Sequence, residues 1–473
     1  MTVLSNTAAA DSAGSQNTSH SAAPTAFASS VAAARDRPPY ALDFDGSSPL
    51  DSARLRQLAL DCGADDVGLV ELARPALDDQ RADILRCYPG TKALLTFVCR
   101  MNREPVRSTV RSVANYEFHA TGEDVNDVAR AIVGALQRAG VPAVNPPMAF
   151  PMEAEHWPEK MWVVSHKPVA VAAGLGMMGI HRNVIHPKFG NFILLGTVLL
   201  GAESDAYGAP LDYNPCLECK LCVAVCPVGA ISPDGRFDVA ACYTHNYREF
   251  MGGFGDWVEQ LAEAKSGLDY RTKVSSPETN SMWQSLAFGP NYKSGYCIAV
   301  CPAGDDVVGP FQASRGGFLQ ANVKPLQEKS ETIYVVPGSD AEAHVARRFP
   351  HKRRKRVRGS LIPRTIAGFL SGMGHTFQRE QSAGLDAVYH FTFTGREPRS
   401  ATVTIRNRTL TVVEGHANDG NATKPDLRVT ADSDTWLGFL AKERSLVWAL
   451  LRRKIRIKGS PRLLVAFGKC FPS

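Results

Sequence analysis

Between residues 216 and 226 the chain reads Cys216-Leu-Glu-Cys219-Lys-Leu-Cys222-Val-Ala-Val-Cys226, followed by Pro227. Three thiols spaced by two residues each can wrap one iron–sulfur cube. A fourth Cys followed by Pro turns away to a neighbouring cluster, as in two-cluster ferredoxins. Thiolates suit soft iron, and a tetrahedral zinc is the alternative. A second half-motif, Cys297-Ile-Ala-Val-Cys301-Pro302, comes later, with Cys242 standing alone between the two. With the ligands crossed, one cluster takes Cys216, Cys219, Cys222 and Cys301, and the other takes Cys226, Cys242 and Cys297. A complete second motif would place a Cys at 294, where the chain has Ser294. The second cluster is therefore expected to be 3Fe–4S, or 4Fe–4S completed by Ser294, His245, water or a ligand. A single cluster, with Cys242 merely buried, is the plainer alternative.

The elements that must hold these thiols are partly legible. Residues 52–62 read as a helix, 65–72 and 92–101 as strands, and Thr121–Gly140 as a helix with Thr121 as its N-cap. Strands alternating with helices predict an α/β core over 46–205, ahead of a ferredoxin-like segment over 206–330. Within the core, Gly174-Leu-Gly176-Met-Met-Gly179 puts glycines where backbone must closely approach a planar ligand or another strand. Residues 331–360 read as a polar, basic linker, with eight Lys/Arg among the twelve residues 347–358. Beyond 361, segments 388–393, 400–407, 408–415 and 426–431 alternate apolar and polar residues as strands do. Ser433 or Asp434 then caps a helix, and a second helix, a strand at 455–459 and a last helix complete a small α+β domain.

Composition limits the function classes. Residues 344–473 carry 25 Lys/Arg against 9 Asp/Glu, whereas 1–343 carry 28 against 38, so an acidic body is joined to a basic tail. No run of apolar residues is long enough for a membrane span. The first 45 residues, rich in Ala and Ser, lack the basic start and apolar block of a secretory signal and read as a disordered leader. The chain is expected in the cytoplasm, where crowded thiols favour metal over disulfides.

The run Gly174-Leu175-Gly176-Met-Met-Gly179-Ile-His-Arg-Asn-Val-Ile-His-Pro187-Lys-Phe-Gly190-Asn-Phe-Ile-Leu-Leu195-Gly196, followed closely by the Cys motif, resembles the epoxyqueuosine reductases and their relatives, the reductive dehalogenases. That resemblance covers about 50–310. It implies a cobalamin-reductase-like α/β core above a two-cluster subdomain, cobalamin held near Gly174, Gly176 and Gly179, and electrons passing from clusters to cobalt. It also implies a reductant of flavodoxin or ferredoxin type. The acidic proton donor of the family has no counterpart in Pro158-Glu159-Lys160-Met161-Trp162. Tyr116 and His119, ahead of the predicted helix, are then the candidate proton donors, with His166 and Glu159 behind them. No helical-repeat tRNA-binding segment follows the cysteines.

The last domain resembles the sterol-carrier-protein fold, through Pro425-Asp426-Leu-Arg-Val-Thr-Ala-Asp432-Ser-Asp-Thr-Trp436 and Lys454-Ile-Arg-Ile-Lys458-Gly459. This implies a lipid ligand, and the basic residues of 345–473 suggest contact with an anionic membrane. Nucleic acid is set aside as a partner, because the basic run lacks interleaved aromatics. The resulting expectation is an iron–sulfur reductase acting on a small or lipid-like substrate rather than tRNA. Its rivals are a non-catalytic electron carrier docked by its tail, and a lipid carrier with a structural cluster.

Overall fold

Strand β2 (Ala93–Arg100) is the centre of the first layer, and seven of its eight residues are buried. Such an unbroken apolar run is what burial on both faces demands. The computed structural model describes residues 44–156, 160–216, 219–416 and 424–472. Helix α1 (Ser52–Asp61) precedes β1 (Asp66–Glu71) and is capped by the Asp51 carboxylate, which accepts from the Ala53 and Arg54 amides. After β2 come helix α2 (Arg111–Arg138), β3 (Ala143–Val144), helix α3 (His166–Ala172), the short pair β4 (Met177–Met178) and β5 (Val184–Ile185), and β6 (Ile193–Leu200). The sheet order is β1-β2-β6-β3. On one face, Leu55 and Leu58 of α1 and Val125, Ile132 and Leu136 of α2 pack on Leu69, Leu95 and Val198. On the other, Val169 and Ala172 of α3 cover Val70, Leu94 and Leu199.

The layered core is present, and its pairings are all antiparallel (Asp66 opposite Val98, Ala93 opposite Leu200, Ala143 opposite Leu200). One expectation needs correction: helix α2 begins ten residues before Thr121, which is buried inside it with its hydroxyl on Glu117. Thr121-Gly122 imitates a start signal, yet Gly122 is used for close packing, a Cβ there lying 2.8 Å from Met148 Cε.

The cysteine segment contributes α4 (Leu221–Val225), α5 (Val239–His245) and α6 (Tyr296–Ala299), with three further helices between 252 and 288. The expected linker is folded. Strand β7 (Thr332–Val335), helix α7 (Asp340–Arg348) and strand β8 (Arg353–Arg356) form a unit in which β7 and β8 pair in parallel. Ile333, Val335, Val345 and Phe349 bury themselves against Cys222 and Cys226, so this stretch closes the floor of the cysteine segment.

After helix α8 (Ile366–Thr376), strands β9 (Ala387–Thr394), β10 (Arg399–Arg406), β11 (Thr409–Glu414), β12 (Leu427–Asp432) and β13 (Ile455–Gly459) form a sheet in the order β11-β10-β9-β12-β13. Only the β9–β12 pairing is parallel. Helices α9 (Ser433–Leu440), α10 (Leu446–Leu451) and α11 (Pro461–Lys469) connect and flank these strands. The α9 cap is Asp432, one residue earlier than expected, accepting from the Asp434 amide. Trp436 fills the centre against Phe369, Phe391 and Phe393. This domain is tied to the cysteine segment by Arg236 donating to the Phe377 carbonyl at 2.7 Å and by the Arg379–Asp234 ion pair at 2.6 Å. No helix among the described residues is long and apolar enough to cross a membrane.

Candidate metal centre

Cys216, Cys219, Cys222 and Cys301 line one small cavity, closed by Ile180, Ile185, Pro302 and Ala303. These are the four thiols that crossing the two motifs assigns to the first cluster. Lys220, between Cys219 and α4, takes a left-handed conformation (φ +52°), which reverses the chain so that Cys222 re-enters from the helix. The Ile180 amide donates to Cys216 Sγ at 3.3 Å.

Cys226, Cys242 and Cys297 gather with Cys222 in the cluster of Val228, Ile231 and Ile333, so Cys222 belongs to both groupings. Burial and the nearby Cys226 sulfur push the Cys297 thiol up to about 12. Burial, then Cys226 and Cys297, raises Cys242 well above the ordinary thiol range. The Ala230 amide donates to Cys226 Sγ at 3.3 Å. Sulfurs so placed stay protonated by themselves, and a polynuclear cation that displaces their protons resolves the conflict. No three His, Cys, Asp or Glu side chains among the described residues converge closely enough to hold a single metal ion.

Ser294 is buried, and its hydroxyl donates to Asn246 Oδ1 at 3.1 Å. The same oxygen accepts from the Ser294 amide at 3.0 Å and the Gly295 amide at 2.8 Å. His245 accepts from the Tyr334 amide at Nδ1 (3.4 Å), and burial, followed by Lys293 and Lys352, lowers its pKa to about 3. Its surroundings are thus cationic side chains on the β7 side of α5.

The remaining candidates fall apart in space and exposure. Tyr116 is 76 % exposed, with no hydrogen-bond partner among the described residues. His119, one turn further along α2, packs beside Phe250 with ring centroids 6.5 Å apart, and its buried Nε2 lacks a partner among the described residues. His166 has both nitrogens engaged, Nδ1 with Thr197 Oγ1 (2.9 Å) and Nε2 with the Pro147 carbonyl (3.3 Å). Burial lowers its pKa to about 4, so it is neutral and structural. Glu159 lies outside the described residues.

The glycine segment makes its close approaches to the chain itself. Gly174 has φ +82°, and a Cβ there would lie 2.5 Å from the Ala209 carbonyl oxygen; at Gly176 it would meet the Ile185 carbonyl oxygen at 2.5 Å. Gly179 faces His181 and Ile185 in the same way. The room left by the missing side chains is filled by protein.

Sequence reasoning missed Arg107 and Arg111. Both are half-buried beside Phe192 and Tyr296 respectively, with buried guanidinium nitrogens (Nη2 of Arg107, Nε and Nη2 of Arg111) that lack partners among the described residues. Desolvation lowers both; the sulfur of Cys301 acts on the first and that of Cys297 on the second in the opposite sense. It also missed Lys167, which donates to the Arg182 carbonyl at 2.8 Å within electrostatic reach of Cys297 and Cys242. No local motif announces any of the three.

Residues 209–232 match the 4Fe-4S binding domain model, and residues 375–472 match the SCP-2 sterol transfer family. The core resembles epoxyqueuosine reductase. The enzyme of that name from Gloeobacter violaceus is 24 % identical over 198 residues, covering 40 % of this chain and 56 % of the relative. That from Staphylococcus aureus is 35 % identical over 80 residues, 17 % of this chain and 20 % of the relative. The chain therefore spans between a fifth and just over half of these relatives. Among solved structures, a catabolic reductive dehalogenase aligns with 63 % of this chain and 42 % of its own at 14 % identity and a TM-score of 0.36. An epoxyqueuosine reductase solved with an epoxyqueuosine-modified tRNA stem loop aligns with 41 % of this chain and 56 % of its own, at 15 % identity and a TM-score of 0.31. The expectation that nucleic acid is an unlikely partner is corrected by the relatives, since proteins named epoxyqueuosine reductase match the core. A basic run without aromatics was the wrong criterion, since phosphate contacts need only cations.

Proposed function

We propose that the chain is an iron–sulfur oxidoreductase of the epoxyqueuosine reductase kind, acting on a substrate carried by RNA. The observation that supports this reading is the gathering of Cys216, Cys219, Cys222 and Cys301 around one cavity, with Cys226, Cys242 and Cys297 packed near Cys222 and β7. Clusters bound there supply one-electron transfer in two relays. Three thiolates in the second set leave one corner to a ligand other than Cys, and Ser294 occupies the matching position in the motif.

The chain's own groups complete the site. The Ile180 and Ala230 amides donate to thiolate sulfur and stabilise its charge. Arg107 and Arg111 supply positive charge near Cys301 and Cys297. His119 is the better placed proton donor, because its Nε2 is shielded from solvent and unengaged, whereas Tyr116 stands in water. Cobalamin enters only by analogy with the relatives, and no step is assigned to it. Sterol transfer belongs to the matched family by name; here Trp436 and its phenylalanine neighbours fill the domain's core.

The test is a metal and cofactor inventory of anaerobically purified protein, followed by incubation with an epoxyqueuosine-containing RNA stem loop and a chemical reductant. Expected are about seven or eight iron atoms and about eight sulfides per chain and conversion of the nucleoside. Stoichiometric zinc without sulfide would overturn the redox reading, and two clusters with an inert nucleoside would overturn the substrate.

A further inference from the structure

A groove of about 830 Å³ runs along strand β8, between it and the residues around 271–278. Its cations are Arg271, Lys273 and the four successive residues Arg353, Arg354, Lys355 and Arg356, with Lys352 at one end. Only two carboxylates line it, and both are committed: Glu278 to Lys355 and Glu342 to Arg356, the latter at 2.6 Å. Lys352 is buried by the Leu326 and Lys329 carbonyls and Glu331, and holds the strand in place. Lys273 is paired with Asp269 at 3.2 Å. That leaves Arg271, Arg353 and Arg354, all exposed, with no ion pair to a carboxylate among the described residues. The Arg353 guanidinium donates to Thr332 Oγ1.

The four adjacent cations alternate between the two faces of the strand. Two of them, Lys355 and Arg356, are neutralised within the protein, and Arg353 and Arg354 line the groove from opposite faces of the strand. Planar guanidinium forks match the paired oxygens of a phosphodiester. The recessed shape suits a polynucleotide strand, whereas a flat bilayer surface would meet only its rims. The location also fits. The inner side of the β7–β8 unit packs on Cys222 and Cys226, and Tyr334 of β7 stacks on His245 of the helix that carries Cys242, with ring centroids 6.2 Å apart.

We propose that this groove is the docking site for the phosphodiester backbone of an RNA, gripped by Arg271, Arg353 and Arg354. The proposal rests on the reading above that the substrate is carried by RNA. It assigns the docking to a folded strand pair in the stretch that sequence alone read as a linker.

The probe is a fluorescently labelled, unmodified RNA stem loop, titrated with the full chain under anaerobic conditions across a salt series. Each phosphate contact contributes about 0.7 to the slope of log affinity against log salt for unpaired strands, so the variant Arg271→Gln/Arg353→Gln/Arg354→Gln should flatten the slope by about 2. The single change Arg354→Gln should flatten it by about 0.7. A triple removing equal charge elsewhere, Arg452→Gln/Arg456→Gln/Arg462→Gln, should leave it unchanged. Iron content equal to the parent shows that the fold is intact, and the single variant carries the test if the triple does not fold. Tight RNA binding with slopes unaffected by the groove variants refutes the groove and leaves the substrate reading standing. Absence of RNA binding in the parent refutes both. Loss of binding to phosphatidylserine vesicles in the triple, with RNA binding intact, would make the groove a membrane site and refute the proposal.

Discussion

Asn246 is the side chain whose removal should separate the two cysteine sets. It follows the last residue of α5, and its amide donates to the Cys242 carbonyl at 2.7 Å. Its Oδ1 accepts three hydrogen bonds, from the Ser294 amide, the Ser294 hydroxyl and the Gly295 amide. One buried oxygen thus fastens the Cys297 loop to the Cys242 helix across 48 residues of sequence. Asn246→Ala strands two buried amides, since the hydroxyl can rotate to another acceptor. Each orphaned donor costs about 1–3 kcal/mol, giving about 2–6 kcal/mol in all. Because the loss falls between Cys242 and Cys297, it should open the second site locally before the chain unfolds. The assay is iron and sulfide per chain after anaerobic purification, read beside the denaturant midpoint. Expected is a loss of about half the iron, with the signal of the Cys216/Cys219/Cys222/Cys301 cluster retained. Asn246→Asp, which keeps the acceptor, should recover much of it. An alanine variant with the parent's iron and midpoint would refute the reasoning.

Cys219→Ala and Cys297→Ala should each remove one cluster and leave the other spectroscopically intact; identical residual spectra would show that the two sets are one site. Trp436→Ala should cost the C-terminal domain about 3–5 kcal/mol, as truncation of a large buried aromatic does, without changing iron content; iron loss would mean that the domain supports the clusters. His166 titrates near 4 in the folded chain against 6.5 ordinarily. The unfolded chain therefore takes up the proton first as pH falls, and stability should drop between pH 6.5 and 4 by up to about 3 kcal/mol. Equilibrium unfolding of His166→Gln should show a shallower decline across that window, and an equal slope would remove His166 from the account.

Legibility followed the range of the interaction. The cysteine motif was readable because ligand spacing is a local constraint, and Cys216, Cys219, Cys222 and Cys301 do line one cavity. Strand β10 was readable because Ala401, Val403 and Ile405 are buried while Thr402 and Thr404 are not, a period of two that survives in the sequence. Strand β8 was not, because Arg353–Arg356 contains no apolar residue. Its extended form comes from β7, whose Ile333 and Val335 supply the burial and whose backbone supplies the pairing. The glycine segment was half readable: the need for close approach was evident, but whether carbonyl oxygens or a ligand filled the space depends on Ala209 and Ile185. Asn246, Arg107 and Arg111 were invisible for the same reason. An Asn after a helix and two Arg four apart are ordinary surface residues until the chain brings distant amides and sulfurs to them. Sequence thus gives the ligands of the candidate centre, while the contacts that hold its two halves in register appear only in three dimensions. Those contacts decide whether a chain with Ser294 in place of a cluster thiol can still keep a second cluster.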